Sequence, residues 1–554
     1  MRTHSPRRDW MLLPAILPVL LLSAATVWFG ALNQDEGWYL YAARQVARGF
    51  RPYRDFFFTQ GPLLPWVYGL LSPLWSPFGI AGGRLFTAVL GLLSSLLAAR
   101  LASGAFPRDG GNRAPFAAFA AGASAFLMLA LSPYHVYFTT IPKTYALAAC
   151  CLAGGLMALD AALRRDRLSA AALGGFLLAC AAAARLSLGA ALPVAGVWLA
   201  VVGWRARGAG SRTRPWLWLA YGIGGIAGLL LFFCQPVAQS FEAFRFANSF
   251  HTGRAAGGLV FAAGSLARLA RGHLALAALA VAAATLLCGA PRNERRAAFA
   301  SAGGGGPALW LACFAAIFAV HLSSPFPYDD YQTPVMPVFA AAVSVLFWKL
   351  LPRAVPGAER DGRALPAALG ALWLWACIAA AASPICQDWV LLRQDRFWSV
   401  TKKTSDLALL REVGARIRKE TPPDVPLLTQ DAYIAVEADR LLPSGFEMGP
   451  FGYFPALSDE DAAALHVLNR AGLETLLLES PSRLAVFSGY GLAIGAPSMA
   501  ELPIEEQREL RALLETRYRP VATIPDFGQG HTTLGIWELR QDLPAPPAAA
   551  PSEL

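Results

Sequence analysis

Two adjacent carboxylates, Asp35 and Glu36, directly follow the first long apolar run of the chain. A carboxylate at a membrane–water boundary can accept a proton from a hydroxyl group that attacks another molecule. Cations that converge on the same region can hold a phosphate group and stabilise its negative charge as it leaves. These residue types therefore favour a group transfer in which a hydroxyl group replaces a phosphate, with Asp35 and Glu36 as the catalytic candidates.

The groups that could hold such a phosphate come from several segments of the predicted outer face. The predicted set that binds donor phosphate or lipid comprises Arg44, Arg54, Lys143, Arg185, Arg254 and Tyr331. Ionisable groups near a bilayer are costly, so each calls for a functional hypothesis. A second predicted set, which supports the acceptor or the loop itself, comprises Tyr53, Asp55 and Gln60.

Each candidate also has a purely structural interpretation. Asp35 and Glu36 could cap a helix, and Asp55 could simply pair with Arg54. The loop arginines could bind lipid headgroups beside an aromatic belt. The eight cysteines lie in or at the edges of apolar runs and lack metal-ligand spacing, so we interpret them as small buried hydrophobes. We predict neither a metal site nor a cofactor.

The composition indicates an integral membrane protein. Of 554 residues, 55% are hydrophobic and 15% are charged, against about 25% charged in soluble domains. Nucleic-acid binding, which the net charge of +10 could suggest, is not favoured, because the arginines cluster in short loops between apolar runs. Of the 37 acidic residues, 24 follow residue 386, which indicates a different, water-soluble region there.

Eleven apolar segments are candidate membrane spans. They are 11–31, 80–101, 115–132, 142–161, 168–184, 187–203, 216–235, 270–289, 306–323, 332–351 and 365–385. If the N-terminus is cytoplasmic, alternation assigns five Arg-bearing loops to the cytoplasm, as the positive-inside rule requires, namely 102–114, 162–167, 204–215, 290–305 and 352–364. The predicted organisation is a transmembrane domain over 1–386, in which loop 32–79 carries the active site, and a periplasmic domain over 387–542.

Two further segments are apolar but are not counted as spans. Segment 62–78 is short and rich in proline, so we interpret it as interfacial or re-entrant. Segment 255–271 carries Arg268 and Arg271 three positions apart, on one helix face, and is predicted to be an amphipathic lead-in on the outer side.

The C-terminal region alternates predicted helices and strands, which is typical of a small α/β domain. Helices are predicted over 405–419, 459–471 and 504–515, and strands over 425–429, 475–478, around Val521 and over 534–537. The Pro- and Ala-rich tail over 543–554 is predicted to be disordered. The predicted fold is thus an α-helical polytopic membrane protein of about eleven spans with a C-terminal soluble α/β domain.

Three short stretches resemble the first periplasmic loop of the C-type (GT-C) polytopic glycosyltransferases. They are Asp-Glu-Gly-Trp-Tyr at 35–39, Gly-Phe-Arg-Pro-Tyr-Arg-Asp-Phe at 49–56 and Gln-Gly-Pro-Leu at 60–63. The similar branch is that of the protein O-mannosyltransferases and lipid A aminoarabinose transferases. Its Tyr-x-x-Pro-x-x-Pro entry into a late span resembles Tyr328-Asp-Asp-Tyr-Gln-Thr-Pro-Val-Met-Pro337. The chain departs from that branch with Thr59-Gln60 where aminoarabinose transferases carry Glu-Lys, and with Lys143 where relatives often carry an acid.

The resemblance implies transfer of a sugar from a polyprenyl-phosphate donor to a hydroxyl acceptor, with inversion and without a required metal. It carries the family's catalytic Asp onto Asp35, with Glu36 as its neighbour. The expected location is the bacterial inner membrane, with the active site and the C-terminal domain on the periplasmic face. The alternatives are a transporter or flippase for lipid-linked sugars, which would favour two related halves with broken helices, and a non-catalytic assembly subunit.

Overall fold

The computed structural model describes residues 13–107, 114–206, 213–249, 257–300, 305–354, 364–383 and 402–540. The described residues up to 383 are mainly helical. Their helices are α1 Leu13–Phe29, α2 Gln34–Ala47, α3 Leu63–Leu70, α4 Ser72–Trp75, α5 Gly79–Gly104, α6 Ala114–Ala130, α7 Pro133–Phe138, α8 Thr144–Arg165, α9 Leu168–Ala184, α10 Ala191–Ala206, α11 Leu217–Gln239, α12 Phe241–Ser249, α13 Gly258–Gly272, α14 Leu274–Gly289, α15 Arg292–Phe299, α16 Pro307–Leu322, α17 Met336–Ala354 and α18 Ala364–Ala381.

The C-terminal region combines short helices with antiparallel strands. Its elements are α19 Asp406–Glu420, α20 Ala432–Ala438, α21 Asp459–Ala464, α22 Arg470–Glu479, β1 Leu484–Phe487, β2 Ile494–Gly495, β3 Ala500–Glu501, α23 Ile504–Arg517, β4 Tyr518–Phe527 and β5 Thr532–Leu539. The larger sheet has the order β1-β5-β4, and β2 pairs with β3. The predicted fold class, a helical membrane protein with a small C-terminal α/β region, is confirmed.

The chain is a polytopic membrane protein. Among the described residues, six helices are long and apolar enough to cross a membrane, or seven if α13 and α14, bent by 95°, form one span. Shorter apolar helices cover Ile16–Phe29, Ala114–Ala130, Leu168–Ala184 and Pro307–Leu322. Each of the eleven predicted segments thus overlaps an apolar helix, while the number of crossings stays a prediction.

The chain folds as two compact units. Unit A contains the described residues within 1–27, 87–234 and 257–395, and unit B contains those within 28–86, 235–256 and 396–554. The loop after α1 therefore belongs to the same compact unit as the C-terminal region. The predicted domain boundary at 386 and the predicted disordered tail lie outside the described residues.

Unit A is built around two strongly buried helices. In the most apolar window of the span Asp329–Pro352, which contains most of α17, 83% of residues are buried, and in that of α8 78% are buried, against 22–44% in the other long spans. Helix α9 packs closely on α8, because a Cβ added at Gly174 would lie 2.4 Å from Leu159 Cδ2. Small residues permit such close approach of helices within a membrane.

In unit B, the local sequence specifies several elements correctly. Helix α19 begins after Ser405, whose hydroxyl accepts a hydrogen bond from the Ala408 amide. Its predicted apolar face, Leu407, Leu410, Val413 and Ile417, is buried. The final strand predictions correspond to β4 and β5, which form an antiparallel hairpin.

Other predictions for the C-terminal region are wrong. The predicted strand 475–478 lies inside α22, because Asn469 caps that helix and Leu473 and Leu477, four apart, are its buried positions. The predicted helix 459–471 is interrupted, since α21 ends at Ala464. The predicted strand 425–429 forms only an isolated bridge between Leu428 and Ala485.

Candidate active site

Asp35 lies in the first turn of α2, directly after a well-formed cap. The Asn33 side chain accepts a hydrogen bond of 3.0 Å from the Asp35 amide, and Glu36 Oε1 accepts one of 2.9 Å from the Asn33 amide. This reciprocal arrangement is a capping box, which fixes where the helix begins. Asp35 itself is half-buried. Its carboxylate therefore stands at a defined helix start without being sealed from solvent.

Glu36 is completely buried against Arg84 of α5. Arg84 Nε lies 2.6 Å from Glu36 Oε2 and Arg84 Nη2 lies 2.7 Å from Glu36 Oε1, a bidentate pair in which both side chains are 0% exposed. The same guanidinium donates to the carbonyl oxygens of Gly30 and Ala31 at 2.9 and 3.1 Å. Glu36 thus joins the start of α2 to the end of α1 and to α5 through a fully buried pair, whereas Asp35, its neighbour, is half-buried.

Sequence reasoning missed Arg84, although a signal was available. Arg84 is a charged residue within a predicted apolar span, and such residues generally have a partner or a function. The identity of that partner could not be predicted, because Glu36 lies 48 residues away in the chain.

The predicted supporting residues Tyr53, Asp55 and Gln60 form a tight local structure in unit B. Tyr53 is buried with φ of 67°, and its hydroxyl donates to the Gln60 carbonyl oxygen. Asp55 Oδ2 accepts a hydrogen bond of 2.7 Å from the Arg51 amide, and Arg54 Nε lies 3.4 Å from Asp55 Oδ1. Tyr53 and Gln60 therefore fix the loop, and Asp55 and Arg54 form a local ion pair.

Arg44 points toward the C-terminal region of unit B. Its guanidinium donates to the carbonyl oxygens of Ala435 and Val436, both at 3.3 Å, and pairs with Asp439 just after α20. Cations are favoured at a helix C-terminus, where carbonyl groups lack partners within the helix. Arg44 is thereby positioned to cap α20, and it is buried.

In unit A, Lys143 and Asp330 meet at the start of α8. Lys143 Nζ lies 3.3 Å from Asp330 Oδ2, and the Tyr145 hydroxyl donates to the same oxygen at 2.9 Å. Lys143 Nζ also lies 5.5 and 5.3 Å from the ring centroids of Phe138 and Tyr145. Lys143 is buried, and the faces of these two aromatic rings attract a cation.

Arg185 and Tyr331, both predicted site residues, are in contact beside this cluster. The Arg185 guanidinium carbon lies 4.6 Å from the Tyr331 ring centroid and 5.1 Å from that of Tyr145. The neighbouring His321 interacts with Ser187 Oγ at 2.7 Å and with Gln332 Oε1 at 3.1 Å. The structure thus brings Lys143, Arg185 and Tyr331 together around Tyr145, which sequence reasoning did not identify.

Asp329, the neighbour of Asp330, has different partners. The Tyr134 hydroxyl donates to Asp329 Oδ2 at 2.6 Å, and Arg268 Nε lies 3.1 Å from Asp329 Oδ1. The two adjacent carboxylates therefore hold α7 and α13 on one side and the start of α8 on the other. No sequence pattern indicated these pairings.

The contacts described above do not test the prediction that the protein requires neither a metal ion nor a cofactor. Within the described ranges, no group of three or more His, Cys, Asp or Glu side chains could hold a metal ion. Arg254, the remaining predicted phosphate-binding residue, lies outside the described residues.

Comparison with known proteins identifies the fold through structure alone. No protein-family model and no curated protein matches the sequence. The crystal structure of ArnT from Cupriavidus metallidurans in the apo state superposes with a TM-score of 0.63 at 15% identity, over 96% of this chain and 98% of that one. The same ArnT bound to undecaprenyl phosphate gives a TM-score of 0.59 at 14% identity, over 95% and 98%. The predicted resemblance is confirmed at the level of the fold: the chain has the polytopic C-type (GT-C) fold of the aminoarabinose transferase ArnT.

Proposed function

We propose that this protein is a membrane glycosyltransferase that moves a sugar from a polyprenyl-phosphate donor to a hydroxyl acceptor on a lipid, glycan or protein. The observation that carries the proposal is the ArnT-like fold over almost the whole chain, since one ArnT structure holds undecaprenyl phosphate. Fold alone does not define an activity. The proposal therefore also depends on the chemistry available at Asp35 and around Lys143.

Asp35 is proposed as the general base. The acceptor hydroxyl attacks the anomeric carbon and gives its proton to the Asp35 carboxylate. The new bond joins the acceptor oxygen to the sugar, and the bond between the anomeric carbon and the phosphate oxygen breaks. The polyprenyl phosphate leaves with the electron pair, and single displacement inverts the anomeric configuration. The half-buried position of Asp35 in a capped first turn supports this role.

Lys143, Arg185 and Tyr331 are proposed to bind the donor phosphate. Two cations and a phenol that lie around one tyrosine can neutralise a phosphate and stabilise it as a leaving group. Arg254 belongs to the same proposal from its position in the sequence. Asp330 orients Lys143 through their contact at 3.3 Å.

The other predicted residues are proposed to act indirectly. Glu36 positions the first turn of α2 through Arg84, and Arg44 joins α2 to α20. Tyr53, Asp55, Gln60 and Arg54 stabilise the loop that follows α2, and Arg54, which is half-exposed, also remains a candidate for lipid phosphate. By the distribution of arginines, we propose a cytoplasmic N-terminus and a periplasmic C-terminal region in a bacterial inner membrane.

The test is transfer activity of the purified protein with a panel of radiolabelled polyprenyl-phosphate sugars and a membrane extract as the acceptor source. Asp35→Asn should lower turnover at least about a hundredfold, the lower end of what loss of a general base costs. Asp55→Asn is the matched control, because it removes a carboxylate that serves a local ion pair in the same unit. The control should retain most of the activity.

Three other outcomes would change the proposal. Full turnover of Asp35→Asn would keep the enzyme but remove Asp35 as its base. Loss of turnover on chelation of metal ions would contradict a metal-free mechanism. Saturable binding of the lipid donor without turnover by the wild type would favour a transporter or an assembly subunit.

A further inference from the structure

One face of α2 is docked along its length on the C-terminal region of unit B. The contacting positions follow helical spacing and are Gln34, Gly37, Trp38, Tyr41 and Arg44. At 3.6 residues per turn these positions fall within about a third of the helix circumference. Asp35 lies just outside this face, and Glu36 lies on the side that meets Arg84.

Gln34, the residue before Asp35, ends in a buried polar cluster. Its Nε2 donates a hydrogen bond of 2.7 Å to Asp431 Oδ1. Ser488 donates to Asp431 through its hydroxyl and its amide, both at 2.6 Å, and the Tyr433 hydroxyl donates at 3.1 Å. Burial raises the pKa of the Asp431 carboxyl, although these hydrogen bonds oppose the shift. Several hydrogen bonds that converge on one buried carboxylate favour a single geometry of the side chains that donate them.

The backbone of the next turn of α2 lies directly against the backbone of the C-terminal region. A Cβ added at Gly37 would lie 2.1 Å from the Tyr433 backbone nitrogen, so only glycine permits this approach. The adjacent Trp38 packs edge-on against Phe451, with ring centroids 4.4 Å apart. Backbone contact at one position and ring contact at the next fix both the distance and the rotation of the helix.

The second half of α2 makes polar contacts with the same region. The Tyr41 hydroxyl accepts a hydrogen bond of 2.8 Å from the Leu442 amide. Arg44 donates to carbonyl oxygens at the end of α20 and pairs with Asp439. The contacts with the C-terminal region therefore extend from the first turn of α2 to its last. Each joins residues about 400 positions apart in the sequence, and the separation of Gln34 and Asp431 is 397.

We propose that the C-terminal region is a positioning device for the proposed general base, and that Gln34 and Asp431 are its positioning residues. The inference rests on the proposed function. Asp35 is held between two fixed points, the Glu36–Arg84 pair on one side of α2 and the Gln34–Asp431 hydrogen bond on the other. Because a displacement of about 1 Å at a reacting group can cost a hundredfold in rate, this anchoring sets turnover rather than donor affinity.

The test uses Gln34→Met in the full-length protein. Methionine has nearly the same length and removes the hydrogen bond to Asp431. It also removes Gln34 Oε1, a buried oxygen that has no hydrogen-bond partner among the described residues, so the two effects on stability oppose each other. We expect a melting temperature close to that of the wild type, a kcat about tenfold lower and an unchanged KM for the donor.

Asn469→Ala is the matched control. Asn469 is also buried and caps α22, where its side chain accepts from the Gly472 amide at 2.8 Å and donates to the Leu457 carbonyl oxygen at 3.1 Å. Loss of the Asn469 side chain should lower the melting temperature without changing kcat at a temperature at which the variant is folded. In an Asp35→Asn background, Gln34→Met should cause no further loss of kcat, because a residue that acts through Asp35 has no effect once the base is gone.

Hydrogen–deuterium exchange of residues 33–41 gives a readout independent of activity. Faster exchange of this segment in Gln34→Met, together with the fall in kcat, supports the inference. Wild-type kcat in Gln34→Met, or an equal loss of kcat in Asn469→Ala, overturns it. If the wild type transfers no sugar, the proposed function fails, and exchange at 33–41 still decides whether Gln34 and Asp431 hold α2 in place.

Discussion

Substitution of Arg84 by Met should destabilise unit B more than any conservative change at its partner Glu36. Arg84→Met leaves the Glu36 carboxylate buried without its guanidinium and removes two hydrogen bonds to the carbonyl oxygens of Gly30 and Ala31. Breaking a buried ion pair from one side costs about 3–5 kcal/mol. Glu36→Gln keeps an acceptor for Arg84 and leaves the two carbonyl contacts in place, so we expect about 2 kcal/mol, the value of a charge-assisted hydrogen bond.

The assay is thermal unfolding in detergent, followed by intrinsic fluorescence at one fixed scan rate because membrane proteins commonly unfold irreversibly. At about 2–4 °C per kcal/mol, Arg84→Met should lower the melting temperature by roughly 10 °C and Glu36→Gln by roughly 5 °C. Arg84→Lys serves as the control that keeps the charge but loses the fork geometry, and it should fall between the wild type and Arg84→Met.

The double variant Glu36→Gln/Arg84→Met decides between a coupled pair and two independent side chains. With both charges absent, no buried charge remains uncompensated, so the double variant should melt above Arg84→Met alone. If the two losses simply add, or if Arg84→Met melts like the wild type, the buried pair does not hold the start of α2.

Three further predictions address other contacts. Gly37→Ala should lower the melting temperature by several degrees, because its Cβ would overlap the Tyr433 backbone, whereas Gly222→Ala, with open space around it, should not. Burial raises the pKa of Glu447 to about 7 from 4.5. Unit B should therefore lose up to about 3 kcal/mol of stability as pH rises from 4.5 through 7. The melting temperature of Glu447→Gln should depend less on pH than that of the wild type. Lys143→Met should raise the KM for the lipid-linked donor about 10- to 100-fold in the transfer assay, because loss of one charge-assisted hydrogen bond weakens binding by about that factor. An unchanged KM would remove Lys143 from the proposed phosphate site.

The sequence by itself determined the features that depend on neighbouring residues. Hydropathy identifies a membrane span from its own side chains, so the apolar helices were predictable, as was the change to a small α/β region at the C-terminus. Amphipathic spacing is equally local, which is why the helix after Ser405 was anticipated; the strands β4 and β5 were also predicted, but their pairing was not. The Asp35–Glu36 pair was also recognisable, because its position directly after an apolar run is a property of the sequence.

The secondary structure of short apolar segments could not be predicted from the local sequence. The stretch 475–478 suits a strand or a helix equally well by composition, and burial of Leu473 and Leu477 on one helix face decides between them. The segment 425–429 has strand-like residues but meets only one bridging partner, Ala485. A strand requires a partner along its length, and the sequence does not say where that partner lies.

Only the tertiary structure decided which charges meet. Glu36 and Asp35 are adjacent in sequence, yet one is fully buried against Arg84 and the other is half-buried. Lys143 finds Asp330 across 187 residues. Ion pairs and helix docking depend on how remote segments fold against one another, and no local pattern of residue types encodes that distance.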